Sequence, residues 1–368
     1  MIEVAGEEDP GLYQDLLSLE VELDDEMAAM AILRLSMRRQ PDGRWTYLDD
    51  ERFAVFNDMT VNAGFEGVAE PLFGGYVTQL RPWFDPEPGN CVLEVWAMDA
   101  TVLMDRQERI KDWPDKKDSD IALEVFAAHG LDARLGDTVL DTRVVHDRAV
   151  STILQRETDI RFLRRLALRN GYECFVEGET AFFRPPRVEG ERQPVLAAHF
   201  GADTTLTSFS AEVNALPPAD VAAVQLDRLN KTVLEEEATV SDSALLGDRD
   251  LAALLPAGQE PGRVWVGMNA ATGSAEMAAL CQGLYQEGAW FVTAEGVVAA
   301  NKYGHVLRPR QPVTIKGVGE TFSGDYYVTR TRHVFGLEGY SQSFRAKRNA
   351  VFPTGDERFA GGGGPDLL

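Results

Sequence analysis

A chain of 368 residues with 44% hydrophobic composition can bury a sizeable core, and its length suggests two or three domains. The formal net charge of −23 excludes a surface built mainly to hold a nucleic-acid backbone, which needs clustered lysine and arginine. No run of 18 apolar residues occurs, and the opening MIEVAGEEDP lacks the basic and apolar regions of a signal peptide, so the sequence predicts a chain made in the cytoplasm with no membrane partner. Cys91, Cys174 and Cys281 lie far apart without metal or disulfide spacing and read as buried thiols. The charge is uneven: residues 1–100 hold 21 acids against 6 bases, whereas 302–348 hold 9 bases against 3 acids, so one end can attract the other or its copy in a neighbouring subunit.

In chain order, alternation of Leu17, Leu19, Val21 and Leu23 with Ser18, Glu20, Glu22 and Asp24 predicts a strand, with a turn at 24–26 and a second strand over 30–37. Short apolar runs at 53–56, 72–80 and 91–98, set between glycine and aspartate turns, predict a sandwich or barrel. Pro82, Pro86 and Pro88 place Trp83 in a long hairpin loop, half-buried or else a contact candidate. From Asp105 the pattern turns helical. Asp118, Ser119 and Asp120 start a helix closed by Gly130, and a second runs from 157 to Gly171, followed by strands at 172–176 and 180–183. A looser helix from Ser274 to Gly288 is followed by predicted strands at 290–293 and 297–300 around a Glu295-Gly296 turn, which makes a helix, glycine, strand, turn, strand unit occur twice. Arg156, Arg161, Arg164, Arg165 and Arg169 decorate the second helix; such a run is ordinarily a solvated face, and its sharper reading is a contact with an acidic neighbour. Residues 204–238 read as strands again, 241–263 as a long loop or linker, and the tail from 353 as flexible.

The stretch 323–350, SGDYYVTRTRHVFGLEGYSQSFRAKRNA, predicts a hairpin turning at 336–339 and forming a sheet edge. Strict alternation places Tyr327, Thr329, Thr331 and His333 on one face, and Tyr326, Val328, Arg330, Arg332 and Val334 on the other. Arg330, Arg332, Arg345, Lys347 and Arg348, with Arg161, Arg164 and Arg165, are the candidate contacts to a subunit or a tube.

No catalytic, cofactor or metal residues are assigned. The five histidines have no i, i+4 partner, the nucleophile-elbow, Walker and dinucleotide motifs are absent, and Gly317-Val318-Gly319 precedes a strand instead of a helix. With 59 acids, any carboxylate pairing suggested by sequence carries no weight.

The order of these pieces resembles the phage late-control D family, hub proteins at the base of contractile tails, and the hub segment of valine-glycine-repeat spike proteins. The resemblance rests on LFGGYVTQLRP at 72–82, VLEVWAMDATVLMDR at 92–106, SDIALEVFAAHGL at 119–131, QRETDIRFLRRLALRNGYECFVEGETAFFRPP at 155–186 and the opening hairpin, and it covers nearly the whole chain. It implies a mainly β protein with α+β insertions: two antiparallel barrel-like tube domains plus an inserted helix-hairpin domain. The expected boundaries are a first tube barrel at 1–108 completed by 195–240, an inserted α+β domain at 109–190, a linker at 241–264, a second tube barrel at 265–352 and a tail at 353–368. The implied function is a structural baseplate hub, a homotrimer that joins a sixfold inner tube to a threefold spike, in a phage particle or an injection system. Its expected partners are its own copies, a separate spike protein, a tube or tube-adaptor protein and other baseplate proteins, with no cofactor and no sequence-specific nucleic acid. The spike is expected to be a separate chain because the sequence stops at Leu368 without an attached needle, lysozyme-like domain or further barrel. The alternatives are a cell-wall hydrolase at the tail tip and a carbohydrate- or protein-binding β module using aromatics near Trp83.

Overall fold

The computed structural model describes residues 1–65, 67–146, 148, 153–227, 230–260, 262–267, 273–355 and 357. The expected tail beyond 357 therefore lies outside the described residues. The first unit comprises β1 (Ile2–Val4), β2 (Glu7–Glu8), α1 (Leu12–Asp15), β3 (Leu16–Asp24), β4 (Met30–Ser36), β5 (Asp58–Phe65), β6 (Val68–Trp83) and β7 (Val92–Met98). Alternation explains the packing, because Leu19, Val21 and Leu23 enter the core while Glu20, Glu22 and Asp24 stay on the outer face.

A second core is built from α2 (Thr101–Met104), β8 (Glu108–Trp113), α3 (Asp118–Ala128), β9 (Ile153–Thr158), α4 (Asp159–Asn170), β10 (Glu173–Glu177) and β11 (Thr180–Arg184). Ile160, Leu163, Leu166 and Ala167 bury one stripe of α4, as their helical spacing requires. The rest of the chain supplies β12 (Gln193–Ala197), β13 (Leu206–Val213), β14 (Asp220–Asp227), β15 (Thr232–Ala238), α5 (Leu251–Leu254), β16 (Arg263–Val266), α6 (Ser274–Gly288), β17 (Val292–Val298), α7 (Ala300–Tyr303), β18 (Pro312–Lys316), β19 (Gly324–Gly336) and β20 (Gly339–Arg348).

The fold is mainly β, with one 13-stranded sheet whose path runs β2-β1-β5-β6-β7-β4-β3-β19-β20-β17-β13, and with β18 and then β12 branching from β19. The sheets are open and not closed barrels. The cause is visible at β3: its outer edge is occupied by β19, so the first set of strands cannot close on itself and instead fuses with the second. The 323–350 hairpin is consequently no sheet edge. β19 lies between β20 on one side and β18 and then β3 on the other.

Strict alternation also fails in β19, because a bulge interrupts its pairing with β20 between Val328 and Arg330. The extra residue shifts the phase, so Thr331 and His333 join Tyr326 and Val328 on the core side, while Arg330 and Arg332 share the face of Tyr327.

Residues 195–240 do not complete the first set of strands. β12 pairs with β18, β13 pairs with β17, and β14 forms a separate three-stranded sheet with β15 and β16 that packs on α6. The expected linker contributes the start of β16 to this region, and it also forms α5, whose Leu251 and Leu254 pack with Phe291, Val292 and Val351 in the neighbouring core.

The repeated helix-hairpin unit is also absent. Glu295 and Gly296 lie inside the single strand β17, where Gly296 is needed because a Cβ would come 2.6 Å from Cε1 of Phe344 on the adjacent strand. A similar close approach seats α4 against α6, for a Cβ on Gly283 would lie 2.5 Å from the Arg169 carbonyl oxygen. Arg169 fixes that crossing by pairing with Asp118 of α3 and Glu276 of α6, both at 2.5 Å.

Candidate assembly surfaces

The outer face of the large sheet carries a band of alternating charge. Arg345 on β20 pairs with Glu295 on β17 at 2.6 Å, Arg330 on β19 with Glu22 at 2.6 Å, and Arg332 with Glu20 at 2.5 Å. The band continues through Arg34 on β4 and Glu94 on β7, which pair at 2.8 Å, to Arg81, stacked 4.2 Å over Trp96. Period-2 alternation sends the polar set of each strand to the side opposite the core, and in β19 the bulge at Thr329 resets that phase so that Arg330 and Arg332 join the band. A shallow depression of about 410 Å³ crosses this face and exposes Arg330, Arg332 and Arg345.

The eight sequence candidates separate by exposure. Arg345, Arg332 and Arg330 stay on the surface, as do Arg161, paired with Asp105 at 3.1 Å, and Arg165, paired with Glu157 at 2.7 Å. Arg348 is 0% exposed and cannot touch a partner. It follows Gln342, Phe344 and Ala346 on the core face of β20 and donates to the carbonyls of Leu246, Ser323 and Phe352 at 2.7, 3.1 and 2.9 Å.

Lys347 is turned inward as well, 3.2 Å from Asp25 and 4.9 Å above the Trp290 ring. Burial works against its charge, but Asp25, Glu287 and Glu173 outweigh it and raise its pKa. Beside it the Tyr327 hydroxyl donates to both oxygens of Glu173 at 2.9 and 3.0 Å, and burial raises the pKa of both groups. These contacts tie β19 and β20 to β10 and to the β3–β4 turn. Arg164 is partly buried at the rim of the same region, with its Nε unpartnered.

Two apolar features also face solvent. Trp83, read from sequence as half-buried or else a contact candidate, is 68% exposed at the end of β6. The second was not singled out from sequence. The outer face of the three-stranded sheet exposes Leu226, Val233 and Trp265. The signal for the latter was present in the alternation of 221–226, where Val221 and Ala223 face α6 and Val224 and Leu226 face out. Among the described residues no group of three His, Cys, Asp or Glu side chains could hold a metal, and no helix is long and apolar enough to cross a membrane.

This architecture is a phage-tail-type fold. The structure is similar over 95% of its length to the 43 kDa tail protein of prophage MuSo2 from Shewanella oneidensis, with a TM-score of 0.67, 14% identity and 98% of that chain covered. It is similar to the tail protein of Neisseria meningitidis MC58 with a TM-score of 0.66 and 11% identity, over 95% of this chain and 96% of that one. An Escherichia coli component of the type VI secretion system gives a TM-score of 0.57 at 10% identity, over 96% of this chain and 79% of that one. A family model described as the Alg8 N-terminal domain matches residues 1–336, and the chain belongs to that family. A search of curated protein sequences finds no match.

Proposed function

We propose that the chain is a structural hub in the baseplate of a contractile injection machine, forming a trimeric ring between a sixfold inner tube and a threefold spike. The observation that carries this reading is the likeness to two tail proteins over nearly the whole of both chains. In this reading the β units at 1–108 and 265–352 act as the two tube domains of each subunit, and 109–190 is an insertion between them. The exposed arginines Arg330, Arg332, Arg345, Arg161 and Arg165 are the contacts offered to acidic surfaces of neighbouring subunits, the tube or its adaptor. Spike and other baseplate proteins join as separate chains. The role is assembly, with no chemistry assigned to the chain.

Light scattering on the purified protein tests the reading. A mass three times that of the 40.6 kDa chain is expected. A monomer at every concentration, in a protein also missing from purified baseplates, would refute it.

A further inference from the structure

A cleft of about 1060 Å³ opens between the β10–β11 hairpin, the first sheet and the segment leading into β18. Five arginines line it: Arg184, Arg187, Arg192, Arg308 and Arg310. Three of these charges are met inside the chain. Arg192 pairs with Asp325 at 2.8 Å, Arg308 with Glu70 at 3.1 Å, and Arg310 with Glu177 at 3.5 Å.

The other two have no carboxylate in ion-pair range among the described residues. Arg184 is 5% exposed, yet its Nη1 donates only to the Pro185 carbonyl at 3.3 Å and its Nε has no partner. Glu173 lies near enough for its charge to act on Arg184, but outside ion-pair distance, and its carboxylate accepts from the Tyr327 hydroxyl instead. Arg187, exposed at the mouth, reaches only the Asp137 carbonyl, at 3.4 Å. A buried guanidinium without a direct counter-ion is costly, and an arriving anion removes that cost.

The site is built to hold its cations still. Phe175 and Phe182 stack with centroids 4.6 Å apart, and Arg184 lies 5.4 and 5.6 Å from their centres, while Arg310 lies 3.9 Å over Phe175. These ring contacts fix where the two guanidinium groups sit, and a planar guanidinium held in place suits bidentate recognition of a carboxylate.

Two features select the class of ligand. Leu72, Phe73, Val176, Phe182 and Val306 supply apolar walls, and the cleft is far larger than a single inorganic anion needs. Glu177 and Glu191 also line it, and they repel a dense polyanion more than a segment with isolated carboxylates. We propose that this cleft binds an extended acidic segment of a partner protein, apolar side chains against its walls and carboxylates on Arg184 and Arg187. The site is a property of the single chain and goes beyond the ring-forming role, so it can stand or fall without the trimer.

The test is fluorescence anisotropy of the full chain with a fluorescein-labelled peptide, Gly-Ser-Leu-Glu-Glu-Leu-Ser-Gly, and with its Glu-to-Gln counterpart. Saturable binding is expected, weakened at least tenfold by the Gln peptide, by Arg184→Gln and by Arg187→Glu, and unchanged by Arg44→Glu outside the cleft. Arg187 is exposed, so its variant reports on binding even if Arg184→Gln fails to fold. No saturable binding, equal binding by Arg187→Glu, or displacement by pyrophosphate or oligothymidine more readily than by unlabelled peptide would overturn the proposal.

Discussion

Replacing Arg348 with methionine and, separately, Arg345 with methionine distinguishes a structural arginine from a surface one only three residues away. The Arg348 guanidinium satisfies three carbonyls of the 246, 323 and 352 segments from a fully buried position. Its loss leaves the Leu246 and Ser323 carbonyls without that donor, at about 1–3 kcal/mol for each buried unsatisfied group, while the Phe352 carbonyl keeps the Asp248 N–H at 2.9 Å. Removing a charge whose pKa burial has already lowered recovers part of that loss. The net expectation is about 2–4 kcal/mol of destabilisation. The Arg345–Glu295 pair is more than half exposed on both sides, and pairs of that kind contribute roughly 0.2–1 kcal/mol. Urea unfolding followed by tryptophan fluorescence measures both, and hydrogen exchange at 244–249 and 349–352 locates the damage, which should be confined to Arg348→Met. Equal midpoint shifts in the two variants would show that the buried arginine does not join these segments.

Two further substitutions probe the same hairpin. His333 is fully buried between the Tyr340 hydroxyl and Thr331, and burial, aided by the Arg308 charge, lowers its pKa to about 3. The unfolded chain takes up a proton near pH 6.5 that the fold refuses, so this group reduces stability as pH falls from about 6.5 toward 3, by about 1.4 kcal/mol per unit. His333→Gln should flatten the stability curve across that window, and an unchanged slope would refute the assignment. Gly296→Ala should cost about 1–3 kcal/mol through contact with Phe344 and the Ser208 carbonyl, and distinctly less in a Phe344→Leu background, as a double-mutant cycle would show; additive effects would mean the ring does not cover the glycine.

Much of the hairpin is legible in its sequence. Composition and turn residues located both strands and their turn, and the same period of two that placed Phe344 and Ala346 inside also placed Arg348 with them; its charge argued against burial, and three local carbonyls answered that charge. The bulge at Thr329 had no such signal, because the extra residue is fixed by pairing with β20, a long-range fact. Gly296 was misread because a glycine beside glutamate has the same local appearance in a turn as in a strand covered by a neighbouring ring. Arg184 and Arg187 were passed over within FFRPPR for a similar reason: what marks them is the missing carboxylate, and absence of a partner exists only in three dimensions.

That last point alters where recognition should be sought. The basic hairpin, 330–348, is where the chain has already answered its own charge, strand by strand, through Glu20, Glu22, Glu295 and Asp25. A partner approaching that band must compete with pairs formed at no entropic cost of association, so the band adds register and solubility more than attraction. An arginine that folding has desolvated without supplying a counter-ion is different, because a ligand carboxylate meets a donor that has already lost its water and its rotamer freedom. Charge left unanswered, and not charge that is merely abundant, is therefore the better guide to where an acidic chain such as this one receives another protein.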